Sequence, residues 1–166
     1  MKIIIFTLLA CLFTVAQAAN QPVKRSYLLV ITAKNGAILK GPALHSKLIL
    51  TNLHQHALWF TDRPFRKAGV MPLKDFVANW QAYFKDDSPN AALAHADLMD
   101  SQGGTQPVVL ELEKPFYHHG QLTFSIKSLS GQLKDRKLTD VDLFIDGFPA
   151  NPARLTPYPN FHFKVG

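Results

Sequence analysis

Ser26–Ala33, with the sequence SYLLVITA, is the strongest indication of the fold class. It is rich in apolar and β-branched residues, which predicts a buried β-strand. Asn35-Gly36 follows as a two-residue turn signal, so we expect the chain to reverse direction there. Two further runs, Ser46–Leu53 and Ala57–Asp62, are so close in sequence that antiparallel pairing is expected.

The strand pattern continues in the second half of the chain. Pro107–Glu113 alternates polar and apolar residues, which predicts a strand with one face inward. Gln121–Leu129 predicts the strand that pairs back, after a turn at Phe116–Gly120. Ala91–Leu98 and Val141–Ile145 predict two more strands, although the alanines of the first segment also favour a helix.

The hydrophobic period changes at Pro72–Lys85. Five apolar residues fall on one helical face of this segment: Leu73, Phe76, Val77, Trp80 and Phe84. Pro72 suits the first position of a helix. We therefore predict a mostly-β (α+β) fold, an antiparallel β-sandwich-like single domain with one main amphipathic helix at about residues 72–85.

The first eighteen residues have the pattern of an export signal. Lys2 gives a positive start, Ile3–Val15 is apolar, and Ala16-Gln17-Ala18 is a small-residue cleavage site. Cleavage near Ala18/Ala19 would leave residues 19–166 as a single β-rich exported domain, either secreted or periplasmic. The apolar run is shorter than the roughly 20 residues that span a bilayer, so no transmembrane segment is expected in the mature chain.

The only cysteine of the chain, Cys11, lies inside this signal. A mature chain without Cys11 can form no disulfide, thiol nucleophile or cysteine metal site. One alternative is that Leu8-Leu9-Ala10-Cys11 acts as a lipobox. The protein would then be a lipoprotein, tethered to a membrane through Cys11.

Composition and motifs limit the functions that the sequence supports. The 166 residues include 18 Lys and Arg against 12 Asp and Glu, a net charge of +6. The cations are scattered singly or in pairs, which gives no support to a specific nucleic-acid partner. The sequence contains no phosphate-binding or dinucleotide glycine pattern and no nucleophile elbow. We therefore predict no cofactor and lean towards a protein that is not an enzyme.

Arg63, Arg66 and Lys67 are the candidate ligand-binding residues. They cluster around Phe65 at the end of a predicted strand, where Pro64 forbids ladder pairing. Guanidinium groups bind carboxylates and phosphates well, so the cluster predicts a site for an anionic lipid headgroup, glycan or phosphate. The alternative is a structural corner that joins the sheet to the helix.

The same segment resembles a family of small exported bacterial proteins. The resemblance is carried by Trp59–Pro64 (WFTDRP), Arg66–Gly69 (RKAG), Phe76 with Trp80, and Pro89–Ala91 (PNA), and it covers about residues 58–129. It implies export and a β-rich fold. It brings no established activity, so it assigns no catalytic residue. In a Gram-negative host, such a protein could also be a substrate of type II secretion.

His54 and His56 are the candidate metal ligands. On a strand, residues i and i+2 share a face, so both imidazoles could reach one ion. A third or fourth ligand is also needed, and no spacing in the sequence identifies it. His118 and His119 are a poorer pair, because neighbours point to opposite faces if the chain is extended there. Both lie in the turn predicted at Phe116–Gly120.

Three functions stay open at this point. The preferred one is an exported non-enzymatic binding protein for an anionic ligand, or for an envelope or host protein. The second is a histidine-based metal-binding protein or metallohydrolase. The third is a structural or assembly factor of the cell envelope.

Overall fold

A closed antiparallel barrel of six strands forms the centre of the molecule. The computed structural model describes residues 26–41, 45–64, 66–85, 87–96, 107–130 and 133–149. Its strands are β1 Ser26–Leu39, β2 Ser46–Leu53, β3 His56–Thr61, β4 Ala68–Pro72, β5 Asn90–Ala94, β6 Val108–Leu112, β7 Phe116–His118, β8 Gln121–Ser128 and β9 Arg136–Pro149. Its helices are α1 Leu73–Ala78 and α2 Trp80–Tyr83. The predicted export signal lies outside the described residues.

The long strand β1 determines how the barrel closes. Neighbouring strands follow the order β2-β8-β6-β5-β9-β1, and the pairing of β1 with β2 completes the ring. Only the second half of β1 pairs with β2, where Ile38 lies opposite Leu48. The first half pairs with β3, where Leu29 lies opposite Trp59, so β3 and β4 extend the sheet beyond the ring. The predicted mostly-β, antiparallel fold class is confirmed, and its strands form a barrel.

Alternate residues of the strands fill the barrel. The fully buried side chains on β1 include Leu29 and Ile31, and Ile31 lies opposite the equally buried Leu143 of β9. On β6, Leu110 and Leu112 are buried as predicted, and Val108 packs partly against the same core. The period-two pattern of the sequence therefore identifies the core face of these strands.

The turn predicted at Asn35-Gly36 is wrong, because β1 runs straight through it. Gly36 lies opposite Leu50 on one side and Leu138 on the other, so both of its edges are paired. A Cβ atom at Gly36 would lie 3.1 Å from the carbonyl oxygen of Ile49 and 3.1 Å from a methyl carbon of Leu50. Gly36 therefore allows the neighbouring strand to approach closely, which is a common reason for glycine inside a strand.

The helical segment predicted over residues 72–85 is divided in two. Pro72 is the last residue of β4, and α1 and α2 are separated at Asn79, whose φ is −100° and ψ is 8°. The Asn79 side-chain amide donates to the carbonyl of Asp75 at 2.8 Å, alongside the backbone amide of Asn79 at 3.0 Å. The backbone bond is a regular helical one, and the side-chain bond shares its acceptor, which is a type of back-bonding that often bends a helix. The amphipathic face is nevertheless confirmed, because Phe76 and Trp80 are buried.

The turn predicted at Phe116–Gly120 is shorter than expected. Phe116–His118 forms β7 and pairs with β8, so only His119 and Gly120 make the reversal. Their φ angles of 45° and 76° are the left-handed values that a tight two-residue hairpin requires. Within the described residues, no helix is long and apolar enough to cross a membrane.

Candidate functional site

The predicted cation cluster lies at the tip of the β3–β4 hairpin. The backbone amide of Thr61 donates to the carbonyl of Lys67 at 2.8 Å, and the Lys67 amide donates to Thr61 Oγ1 at 2.8 Å. Inside this closure, the Arg66 amide donates to the carbonyl of Asp62 at 3.3 Å. We call residues 62–67 the cationic loop. The hydrogen bonds across its base hold the two ends of the loop together.

The structure brings Arg63, Arg66 and Lys67 onto this one loop. All three are exposed, and none has a side-chain hydrogen bond or ion pair among the described residues. The loop is the end of a hairpin, whereas the connection to the helical segment runs through β4. The predicted corner between sheet and helix is therefore not at these residues. Phe65, the aromatic residue of the predicted cluster, lies outside the described residues. Guanidinium and ammonium groups that lack a carboxylate partner keep their donors available to an anion.

Trp59 and Gly69 make a close contact next to the loop. They lie opposite each other on β3 and β4. A Cβ atom at Gly69 would lie 2.5 Å from Trp59 Cζ2, so the indole occupies the space that any side chain would need. Trp59 is only 6% exposed, and its ring lies 5.8 Å from that of Tyr27. The glycine of the Arg66–Gly69 segment is thus explained by this packing.

An apolar groove on the outer face of the sheet begins beside the loop. It has a volume of about 370 Å³. Its apolar lining includes Leu28, Phe60, Ala92, Val109 and Phe144. Leu28 lies directly opposite Phe60, and Ala92 lies opposite both Phe144 and Val109, so these side chains share one face of five strands. Phe60 and Val109 are 38% and 37% exposed.

The groove reaches Asp62, the first residue of the cationic loop, whereas Arg63, Arg66 and Lys67 are not among its lining residues. Phe60 and Asp62 both line the groove, and Arg63 follows directly in the chain. Asp146, on β9, is the second carboxylate that lines the groove. It accepts a hydrogen bond from the Gly147 amide at 2.7 Å. The site therefore combines an apolar floor, two rim carboxylates and an adjacent group of cations.

The groove was not predicted, although the sequence of β3 contains a signal for it. Leu58 and Phe60 alternate with the buried residues Ala57 and Trp59, so β3 carries apolar side chains on both faces. A strand with one face in water usually has polar residues on that face. Leu58 and Phe60 therefore indicate an apolar surface on the outer face of β3.

The two predicted metal ligands, His54 and His56, flank the break between β2 and β3. The His54 amide donates to the carbonyl of Thr32 at 3.1 Å, while Asn52 has a φ of 52°. The chain is therefore not a regular strand here, and the shared face expected for residues i and i+2 does not follow. Both histidines are exposed. Across the described ranges, no three His, Cys, Asp or Glu residues form a group that could hold a metal ion. A site at His54 and His56 stays a prediction.

His118 and His119, in contrast, lie together. Their ring centroids are 3.7 Å apart, with an angle of 55° between the planes. The extended backbone that would point them to opposite faces does not continue through the pair, because His119 belongs to the turn, as predicted, and has a φ of 45°. His118 also stacks on Phe116, with centroids 5.8 Å apart and planes 23° apart.

Glu111 on β6 and Glu113 just after it both lie next to basic side chains. Lys127 Nζ donates to Glu111 Oε1 at 2.7 Å, and His45 Nδ1 lies 3.7 Å from Glu113 Oε1. The hydrogen bond that Lys127 donates to Glu111, reinforced by the negative charge of the carboxylate, raises the pKa of Lys127 above its ordinary value of 10.5. These contacts explain Glu111 and Glu113 as residues of a solvated sheet face that interact with neighbouring basic side chains.

Comparison with protein-family models, with curated proteins and with solved structures finds no match to this chain. The resemblance of residues 58–129 to small exported bacterial proteins accordingly stays a prediction. The geometry of the site places the cationic loop beside an exposed apolar groove that reaches Asp62.

Proposed function

We propose that the protein is an exported, non-enzymatic binding protein for an amphiphile with an anionic headgroup. The observation that supports the proposal is that the apolar groove reaches Asp62, the first residue of the cationic loop, so that the three cations follow it closely in the chain. An acyl chain would lie in the groove, and the headgroup would meet Arg63, Arg66 and Lys67. An anionic lipid has both of the required parts.

The expected energies favour an amphiphile over a bare anion. Each methylene group buried in the groove contributes about 0.8 kcal/mol. Each cation of the loop contributes about 1 kcal/mol next to an anionic surface, and this contribution weakens as salt is added. Inorganic phosphate or a polar glycan gains only the second contribution, so it should bind much more weakly than a lipid.

The carboxylates of the rim predict where the headgroup lies. Asp62 and Asp146 repel an anion, so the headgroup is expected on the side of Arg66 and Lys67. Replacing Asp62 by asparagine removes one negative charge and keeps the size of the side chain. The variant should therefore bind anionic lipid more tightly. A ligand with a positive charge would show the opposite change.

Vesicle co-sedimentation tests the role of the loop. The full chain is mixed with vesicles of phosphatidylcholine alone or of phosphatidylcholine with phosphatidylglycerol. Alanine at Arg66 and Lys67 should cost about 2 kcal/mol, roughly a thirtyfold loss of affinity for the anionic vesicles. Glutamate at both positions should abolish binding. The matched control places glutamate at Lys34 and Lys74, two exposed cations on β1 and α1, which changes the net charge equally.

A second pair of variants tests the groove. Phe60→Ser removes an apolar side chain that lines the groove, whereas Leu58→Ser removes one of similar exposure on the same strand that does not line it. Only Phe60→Ser should weaken binding to anionic vesicles. The proposal is rejected if the unmodified protein does not bind them. It is also rejected if the Lys34/Lys74 control loses as much affinity as the loop variant.

A protein partner is the second candidate function. Leu58, Phe60 and Val109 are exposed apolar side chains on the outer face, and clustered exposed residues of this kind often mark interaction surfaces. The carboxylates Asp62 and Asp146 would then face a basic segment of the partner. Cross-linking in the cell envelope, followed by capture with wild-type protein or Asp62→Asn, tests this. A specific partner that is lost with Asp62→Asn supports this candidate over the lipid.

A further inference from the structure

We propose that His118 and His119, whose rings the β7–β8 turn holds together, form a surface binding site for Cu²⁺. The site is separate from the groove and the cationic loop. Neither histidine lines the groove or belongs to the cationic loop. The strand that carries His118, β7, pairs with β8 and lies off the main strand order. Copper binding here is therefore independent of the function proposed above.

The turn geometry explains why two adjacent histidines can serve one ion. His118 ends β7 opposite Gln121, whereas His119 has left the strand with a φ of 45°. The ring centroids are 3.7 Å apart. Two nitrogens bound to one ion at about 2.0–2.1 Å each lie roughly 3 Å apart, which small rotations of these rings can provide. Both side chains are exposed, so an ion can reach them directly from solvent.

Phe116 limits the freedom of one of the two ligands. Its ring stacks on that of His118 at 5.8 Å, with planes 23° apart. The strand pairing of β7 also fixes the backbone of His118. A ligand that is already ordered loses less conformational entropy when it binds the ion. The pair is therefore better prepared for metal than two histidines on a free chain.

The donor set favours copper over other divalent ions. Imidazole nitrogen suits copper, nickel and zinc, and Cu²⁺ has the highest affinity in the first-row series. Cu²⁺ also accepts a tetragonal arrangement in which two imidazoles and water molecules share the coordination plane. A closed structural zinc site needs four protein ligands. In the described part of the chain, no third His, Cys, Asp or Glu completes such a group.

The test is Cu²⁺ titration of the full chain, purified without a histidine tag. Calorimetry measures affinity, and pulsed electron paramagnetic resonance counts the coordinated imidazoles. The informative variant is His119→Asn, because asparagine adopts left-handed φ readily and Asn-Gly is a preferred hairpin turn. The turn should therefore keep its stability while one ligand is lost. His118→Gln removes the other ligand, and His54→Asn with His56→Asn is the matched control.

We expect one Cu²⁺ per chain with two imidazoles in wild type, and loss of this binding in His119→Asn and in His118→Gln. The melting temperature of His119→Asn without metal should equal or exceed that of wild type. The control pair should retain the binding. The proposal is overturned if either ligand variant binds Cu²⁺ as tightly as wild type. It is also overturned if the control pair abolishes binding, because the copper would then lie at His54 and His56.

Discussion

Replacement of Gly69 by alanine should destabilise the protein, although most glycine-to-alanine changes in a strand have the opposite effect. In an open position, the change stabilises by roughly 0.5–1 kcal/mol because alanine loses less backbone entropy on folding. At Gly69, the added Cβ atom meets Trp59 Cζ2 at 2.5 Å and Cε2 at 2.6 Å. The direction of the change therefore reports directly on this contact.

The magnitude follows from how far the indole must move. Non-bonded carbon atoms prefer separations of about 3.5–4.0 Å, so the Trp59 ring has to retreat by roughly 1 Å. It cannot turn into solvent without losing its packing, because it is 6% exposed and lies 5.8 Å from the ring of Tyr27. Overpacking of this kind costs about 1–3 kcal/mol. For a chain of this size, the melting temperature should fall by about 2–4 °C per kcal/mol.

A double-mutant cycle with Trp59→Leu isolates the contact. Chemical denaturation followed by circular dichroism gives the free energy of unfolding for wild type, both single variants and the double variant. Leucine lacks the fused ring that faces Gly69, so Gly69→Ala should cost much less in that background. The coupling energy should lie within the range of about 0.5–3 kcal/mol that is usual for contacting residues. A Gly69→Ala variant as stable as wild type, or an equal loss of stability in both backgrounds, would show that the Trp59 contact does not exclude a side chain at Gly69.

Two further predictions concern the helical segment and the β6–β8 ion pair. Trp80→Ala should lower the free energy of unfolding by about 3–5 kcal/mol, because the Trp80 ring is buried and lies 4.5 Å from the ring of Phe84. Urea denaturation measures this change. Phe116→Ala is the control, because Phe116 is 66% exposed and its loss should change stability little. Glu111→Gln should lower the raised pKa of Lys127 towards 10.5, as measured by NMR titration of the ammonium group. Since that pKa is raised in the folded state, the stabilisation by the pair is fully present below pH 10.5 and is lost as the pH rises through the folded-state pKa. An unchanged Lys127 pKa in Glu111→Gln would contradict the assigned cause.

The strands could be predicted where side chains alternate cleanly. Ser46–Leu53 has the same bounds in the sequence prediction and in the structure, because the inward positions of this segment are occupied by Leu48 and Leu50. The Asn35-Gly36 signal failed because a turn dipeptide records only local backbone preference. Here the preference is outweighed by ladder pairing on both sides of β1.

Part of the candidate site could be predicted from the sequence, and part could not. Pro64 at the end of an apolar run was enough to place Arg63 in a loop. The groove could not be predicted, because its lining residues come from separate strands that the sequence does not align. Leu28 and Phe60 meet across β1 and β3, while Ala92 and Phe144 meet across β5 and β9.

Local sequence patterns are sufficient for the mostly-β class, the inward face of the regular strands and the position of the amphipathic segment. Each of these is a property of neighbouring residues, expressed as a period along the chain. Tertiary structure alone decided the closure of the barrel, the contact of Trp59 with Gly69 and the assembly of the groove. Such features join distant residues, as when Thr32 Oγ1 donates to Asp142 Oδ1 at 2.7 Å across 110 positions. Pairing of this kind depends on the register of whole strands, and no local pattern records that register.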